Sequence, residues 1–239
     1  GNLVPIYNGT SMIPTEFSEL TLTLVASHAA DSFYDVFVFS NSGVVTVVTG
    51  PAWSTTTAGS GARGTGAGTT ELTRIKGLWV NAVAMTGRNG STTYSVGAHL
   101  ATYVGSIQMD ATNGQISCLT AYGQSRKWSV WNAYNRKPIL MKAGDSTATW
   151  SAGGAYPTFQ QTNAATGNKI TTFCGLPEEL IRFEYIQHLD GAASNRGGYC
   201  GIGINSTSSP SGTIGKSQVV TTAITRSSTQ SFANLSPGI

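Results

Sequence analysis

Residues 122–150 read Y-G-Q-S-R-K-W-S-V-W-N-A-Y-N-R-K-P-I-L-M-K-A-G-D-S-T-A-T-W. Two extended segments are legible in this stretch. Trp128 and Val130 share one parity, followed less cleanly by Asn132 and Tyr134, and Ile139, Met141 and Ala143 share one parity of the next run. Alternation with a period of two marks half-buried strands. The joint between them is N-R-K-P at 135–138. Pro138 has no amide proton, so it suits a strand start or an edge and resists a central ladder position. A-G-D-S at 143–146 then reads as a turn, because Gly tolerates positive φ and Asp can bond its own backbone. The stretch therefore predicts a hairpin or corner, rich in Trp and Tyr, at the heart of the second half of the chain.

Working outward, the same period recurs. Residues 3–7 read as a short strand with an edge-type proline, Asn8-Gly9 as a hairpin turn and 12–14 as the return strand. Residues 15–20 read as one helical or irregular turn. Residues 33–48 read as a second hairpin around Asn41-Ser42-Gly43, rich in β-branched residues. The run Tyr34-Asp35-Val36-Phe37-Val38-Phe39 carries apolar side chains on both faces. It predicts burial on both sides, with another subunit as one means of covering it.

Strands are expected at 71–83, 93–103, 115–120, 128–134, 139–142, 148–152, 158–161 and 168–174. Gly87-Arg88-Asn89-Gly90 and Asn113-Gly114 punctuate the series. Leu176-Pro177-Glu178-Glu179 suits a helix start, but Ile181, Phe183 and Tyr185 alternate with Arg182 and Glu184, which favours a strand. Residues 198–205 and 219–226 close the chain. Strands at this spacing, without a long helical pattern, predict an all-β fold: an antiparallel jelly-roll-like sandwich with a small N-terminal β-hairpin region. The glycine-rich segment 54–70 is the candidate boundary. It divides the chain into a hairpin region (1–53), a linker (54–70) and a sandwich (71–239).

Composition narrows the function classes. Only 10% of the 239 residues are charged, against roughly 25% in an ordinary globular protein. Low charge with abundant hydroxyl residues suits subunit-packed virion proteins and secreted binding modules, and is unlike a disordered chain. A net charge of +3 is too small and dispersed to suggest nucleic acid. The three cysteines, Cys118, Cys174 and Cys200, form no C-x-x-C pair, so they read as three buried thiols made in a reducing cytoplasm. No run of 18 apolar residues is present, so no membrane insertion is expected. Gly1 reads as the start of a trimmed fragment.

Catalytic constellations are not legible. The G-x-G-x-x-G match at 59–64 is followed by strand-like sequence rather than a helix, so it reads as a surface loop and not a phosphate site. His28, His99 and His188 stand isolated, which leaves no metal cluster, and no cofactor is expected. Glu178 and Glu179 are neighbours whose side chains would point to opposite faces of a strand. The expectation is a protein that is not an enzyme. Aromatics are plentiful, and a sugar-stacking set can be drawn from Trp150, Trp128 and Tyr156, with Arg126 and Asn132 to meet hydroxyls. Trp131 and Tyr134 read as core or subunit interface, since Trp and Tyr dominate such surfaces by buried area. The Arg126-Lys127 and Arg136-Lys137 pairs read as solvated edge charges.

The run W-N-A-Y-N-R-K-P-I at 131–139 resembles a recurrent region of tailed-phage virion proteins, the fibres, head fibres and decoration proteins. Four more stretches resemble the same family in order: G-N-L-V-P-I-Y-N-G-T (1–10), S-F-Y-D-V-F-V-F (32–39), G-P-A-W (50–53) with G-T-G-A-G-T-T-E-L-T-R (64–74), and G-I-G-I-N-S-T (201–207). The resemblance implies a non-enzymatic structural protein on the exterior of a virion, made in the bacterial cytoplasm. It also implies a homotrimer partnered by other capsid or tail proteins. Multivalent adhesion to host-surface glycan is the expected task, several weak sites together giving useful avidity. A secreted carbohydrate-binding module and a capsid cement protein are the alternatives.

Overall fold

A computed structural model of the chain describes residues 2–57, 61–120, 126–143, 169–176, 180–189, 196–200, 202–204, 215–219 and 225–234; for 180–189, 196–200, 215–219 and 225–234 it describes the backbone. Two compact units form. The first is drawn from Gly1–Lys142 and Ile170–Leu176, the second from Ala143–Lys169 and Pro177–Leu235. The described residues are all β, without a helix, as the alternating sequence predicts.

The first unit opens on an antiparallel hairpin, β1 (Asn2–Tyr7) and β2 (Met12–Phe17). Its turn is built by Asn8, whose Oδ1 accepts from the amides of Thr10 (3.0 Å) and Ser11 (2.8 Å), and by Gly9 at φ 97°. β2 runs through 15–17, where a helical or irregular turn was expected, because Thr15, Glu16 and Phe17 pair with Val4, Leu3 and Asn2.

The main sheet contains β3 (Phe33–Asn41), β4 (Val44–Ala52), β5 (Leu72–Ile75), β6 (Leu78–Asn81), β7 (Met85–Asn89), β8 (Thr92–Val96) and β9 (Ala101–Gln108). Their order is β5-β6-β9-β3-β4-β7-β8, all antiparallel. Ser42 (φ 51°) and Gly43 (φ 90°) join β3 to β4, and two consecutive positive-φ residues suit a tight hairpin on twisted strands. Lys76 (φ 49°) and Gly77 (φ 87°) make the same kind of turn and split the expected strand 71–83 into β5 and β6. The expected strand 93–103 is also broken. Buried Asn81 gathers the connection, donating from Nδ2 to the carbonyls of Val83 and Gly97 (both 2.8 Å) and accepting from the Ala101 amide (2.8 Å). Gly87 does not end a strand as expected. It pairs with Tyr94 inside the β7–β8 ladder, and a Cβ there would lie 2.8 Å from Val48 Cγ2.

Residues 126–143 fold differently from their reading. β11 (Arg126–Trp128) joins β10 (Cys118–Leu119) and, in parallel, β13 (Ile170–Thr172) in a three-stranded sheet. β12 (Val130–Asn132) pairs with β9 in the main sheet. The alternation that reads as one strand thus serves two sheets, with the break at Ser129. Residues 139–143 form no strand, and Ile139 and Leu140 are 44% and 75% exposed. The partner that a 128–143 hairpin would need is supplied by β9, where Gly105 lets the β12 backbone approach so closely that any Cβ would collide with the Trp131 carbonyl oxygen.

The segment 54–70 does not separate two units. β3 and β4 before it and β5 to β9 after it share one sheet. In the second unit, β14 (Leu180–Leu189) pairs antiparallel with β17 (Thr225–Asn234), and β15 (Arg196–Cys200) with β16 (Gly215–Val219). The alternation at 181–185 does form a strand. The expected strands at 148–152 and 158–161 lie outside the described residues, as do Trp150 and Tyr156.

Both faces of the main sheet are covered within the first unit. One face packs Phe33, Phe37, Phe39, Val48, Ala101 and Tyr103 under Trp53, Trp131, Phe173 and Leu176. The other packs Val36, Val38, Val45, Val47 and Val104 under the hairpin residues Val4, Ile6 and Phe17. Thr102 Oγ1 fastens that cover by donating to the Pro5 carbonyl at 2.5 Å. The two-sided apolar strand seen in the sequence is therefore satisfied by this chain's own N-terminal hairpin. Cys174 is buried, whereas Cys118, expected buried, sits exposed on β10.

Candidate functional site

Asp35 is the only charged residue in the Phe33–Phe39 run, and its position on β3 aims it into the aromatic face with Phe33 and Phe37. A carboxylate placed there must be paired, because unpaired burial of charge costs several kcal/mol. Two irregularities supply the partners. The β3–β9 register shifts between Val36 and Phe37, so Val104 is an extra residue on β9. That bulge places Tyr103 and Ser106, three apart, on one face, where their hydroxyls meet at 2.7 Å. The β3–β4 register shifts between Tyr34 and Val36, which accommodates Gly50 and Pro51 and brings Trp53 alongside.

The resulting network is closed. Asp35 Oδ1 accepts from Ser106 Oγ (2.6 Å), Arg63 Nη2 (2.8 Å) and Trp53 Nε1 (3.1 Å); Oδ2 accepts from Arg63 Nε (2.5 Å) and Thr70 Oγ1 (3.0 Å). Because Ser106 gives its proton to Asp35, Tyr103 is the donor in the Tyr103–Ser106 bond. Arg63 Nη2 also donates to the Gly175 carbonyl (2.7 Å), and its guanidinium lies 4.2 Å from the Trp53 ring centroid. Burial by itself would lower the Arg63 pKa, but the Asp35 charge and hydrogen bonds outweigh it and the net shift is upward. Burial, then the Asp35 charge, raises the Tyr103 pKa and keeps the phenol protonated. Gly175 fits because it has no side chain: a Cβ would lie 2.5 Å from Tyr103 Oη and 2.6 Å from Trp131 Cε3.

This network anchors rather than reacts. Asp35 is fully buried and accepts five hydrogen bonds, so it has neither access to an external substrate nor a vacant lone pair for proton transfer. What it does is tie the glycine-rich segment, through Arg63 and Thr70, to β3, β9 and residue 175. Sequence reading missed these residues. The available signal was a lone acid in a two-sided apolar strand and a lone cation in a glycine-rich loop.

A second buried polar chain centres on His28. Val25 N donates to Nδ1 (3.1 Å), which leaves Nε2 to donate to Thr49 Oγ1 (3.0 Å), and Thr49 passes a bond to the Arg88 carbonyl (3.3 Å). His28 and Thr49 are fully buried, and the His28 ring meets Tyr34 edge-on at 5.2 Å. Burial lowers its pKa most; the Val25 carbonyl, 3.2 Å from Nδ1 and able to accept from a charged ring, works against this, and the Arg88 charge lowers it further, for a net shift downward.

The sugar-stacking set does not assemble as drawn. Arg126, expected solvated, is buried at 3% exposure in β11. Trp128 is half-buried in the same strand. Asn132 is exposed, but its Oδ1 is committed to the amides of Tyr134 (3.0 Å) and Asn135 (2.8 Å). Trp131 is core, stacked on Tyr103 with centroids 6.2 Å apart. Tyr134 is 52% exposed and so is not core, and the Arg136 guanidinium lies 4.9 Å from the Trp131 ring centroid. The open surface here is therefore a ledge of Asn132, Tyr134 and Arg136 on a buried Trp131. It is basic by default: residues 111–144 contain no Asp or Glu, while Arg136, Lys137 and Lys142 are exposed. Among the described residues no three His, Cys, Asp or Glu side chains gather as a metal site would require, and no helix is long and apolar enough to cross a membrane. Comparison with known protein families, with characterised proteins and with solved structures finds no match to this chain.

Proposed function

We propose that this chain is a non-enzymatic structural module of a tailed-phage virion, a fibre, spike or decoration protein of the particle exterior, that adheres to host-surface polysaccharide. The five stretches that resemble such proteins support the virion assignment, and homotrimeric assembly rests on that resemblance. The observation that carries the adhesion reading is the ledge. An exposed Tyr134, a guanidinium at Arg136 and the Nδ2 of Asn132, which donates to no described residue, stand together in a run without acids. An aromatic ring offers a stacking face to a pyranose, and the guanidinium favours a carboxylate, so the preferred ligand is an acidic saccharide.

The test is a glycan array read beside a reducing-end assay on host capsule. Retention of acidic glycans, lost in Tyr134→Ala and Arg136→Ala chains, is the expected result. Single-site affinity should be weak, on the order of 1 mM, about −4 kcal/mol, and raised by assembly. Release of oligosaccharide would make the protein a depolymerase. Tight binding to purified capsids without any binding to host cells or glycans would make it a cement protein. Either result overturns the adhesion reading.

A further inference from the structure

The chain contains three Asn-Gly pairs: Asn8-Gly9, Asn89-Gly90 and Asn113-Gly114. Asn-Gly is the dipeptide most open to attack by its own backbone, because Gly places no side chain in the way. The attacking atom is the Gly nitrogen, so what the fold does with that amide and with the Asn side chain decides whether the reaction runs.

At two of the pairs the fold withholds the glycine amide. Gly90 N donates to the Thr23 carbonyl at 2.9 Å. Asn89 is half-buried, donates from Nδ2 to the carbonyls of Thr21 (2.9 Å) and Val47 (3.0 Å), and accepts on Oδ1 from Thr23 N (2.9 Å). Gly114 N donates to the His28 carbonyl at 2.8 Å, and Asn113 Oδ1 accepts from Ala30 N at 2.7 Å. Gly114 is also confined, since a Cβ there would lie 2.8 Å from the Val25 backbone. The third pair differs. Asn8 and Gly9 are exposed at the tip of the β1–β2 hairpin, with open space around Gly9. Asn8 Oδ1 accepts two surface amides, but Nδ2 and the Gly9 amide engage no described residue.

We propose that Asn8 is a site of spontaneous deamidation, selected from the three Asn-Gly pairs because the Gly9 amide alone of the three donates to no described residue. The deprotonated Gly9 nitrogen attacks Asn8 Cγ, the N–Cγ bond forms, the Cγ–Nδ2 bond breaks and ammonia leaves. Water then opens the cyclic imide at either carbonyl, giving aspartate or isoaspartate; water is the sole co-reactant. Both products add a negative charge at the turn. Isoaspartate also lengthens the main chain by one carbon in the turn that registers β1 against β2, the strands whose Val4, Ile6 and Phe17 cover one face of the main sheet.

The experiment incubates the full-length chain at mildly alkaline pH, digests it with pepsin under acid and reads each Asn-Gly peptide by tandem mass spectrometry. In the folded protein the deamidated fraction at Asn8 should exceed that at Asn89 and Asn113 by at least about tenfold, the ratio that about 1.4 kcal/mol of local opening produces. In urea the three should react alike, since the fold no longer distinguishes them. Reaction of folded Asn89 or Asn113 as fast as Asn8 overturns the proposal. So does a folded Asn8 as slow as the other two.

Discussion

Replacing Arg63 with Met isolates what the buried anchor contributes. Met retains a long apolar stem that can lie against Trp53, so packing changes little. The guanidinium is lost, and with it two bonds to Asp35 (2.5 and 2.8 Å), one to the Gly175 carbonyl (2.7 Å) and a long one to Ser106 Oγ (3.4 Å). Asp35 stays fully buried. Breaking a buried pair by removing one partner costs about 3–5 kcal/mol. Three donors remain, from Trp53, Thr70 and Ser106, which places the expected loss near the lower end, about 3 kcal/mol. With a urea m-value of about 1–3 kcal/mol per M, the midpoint followed by tryptophan fluorescence should fall by about 1 M or more. Adding Asp35→Asn to the Met variant should restore part of the loss, because the uncompensated charge is gone while an acceptor oxygen stays. A loss under about 1 kcal/mol, or strict additivity of the two substitutions, would refute the claim that the pair acts as one unit.

Four further outcomes are expected. Trp131→Ala should cost about 3–5 kcal/mol, as truncation of a buried Trp does; a fully stable variant that had lost only glycan binding would reverse its placement in the core. Gly105→Ala should detach β12 from β9, since its Cβ meets the Trp131 carbonyl, and amide exchange of residues 130–132 would report it; unchanged protection there would contradict the close approach. His28 has a folded pKa below its ordinary 6.5, so the unfolded chain takes up the proton first as pH falls; stability should be intact above about 6.5 and decline from there towards the folded value, a decline that His28→Gln should remove and that unfolding midpoints across this range can check. Light scattering at micromolar concentration should give a mass near three times 24.9 kDa, and a monomer alone would refute the trimer.

How much was legible follows from which interactions are local. Hairpin turns were read correctly at Asn8-Gly9, where Asn8 Oδ1 caps the turn and Gly9 takes positive φ, and at Ser42-Gly43, where both residues do, because turn chemistry is encoded within four residues. Lys76-Gly77 was missed because strand-favouring residues lie on both sides of it, Leu72 to Ile75 and Leu78 to Val80, so the two strands read as one. The stretch 126–143 misled for a related reason. Alternation identifies a strand but not its partner, and the partner of β12 is fixed by a missing side chain at Gly105, outside the stretch.

The same limit governs the site. Reading aromatic residues by type puts Trp128 in a sugar-stacking set and Trp131 with Tyr134 in a core or interface, whereas the fold sorts them by depth: Trp128 half-buried, Trp131 buried and Tyr134 exposed. Depth depends on where β9 runs, which no local pattern encodes. The two-sided apolar strand Phe33–Phe39 shows how such a signal can be right in kind and wrong in consequence. It does demand cover on both faces, but the β1–β2 hairpin supplies the second cover, so the strand gives no reason for a subunit interface. If the protein assembles, the contact must be made elsewhere. Within the first unit, the exposed Ile139 and Leu140 beside the ledge are apolar groups that this unit leaves open to water. An oligomer formed through them would bring several basic ledges close together, the arrangement multivalent adhesion requires.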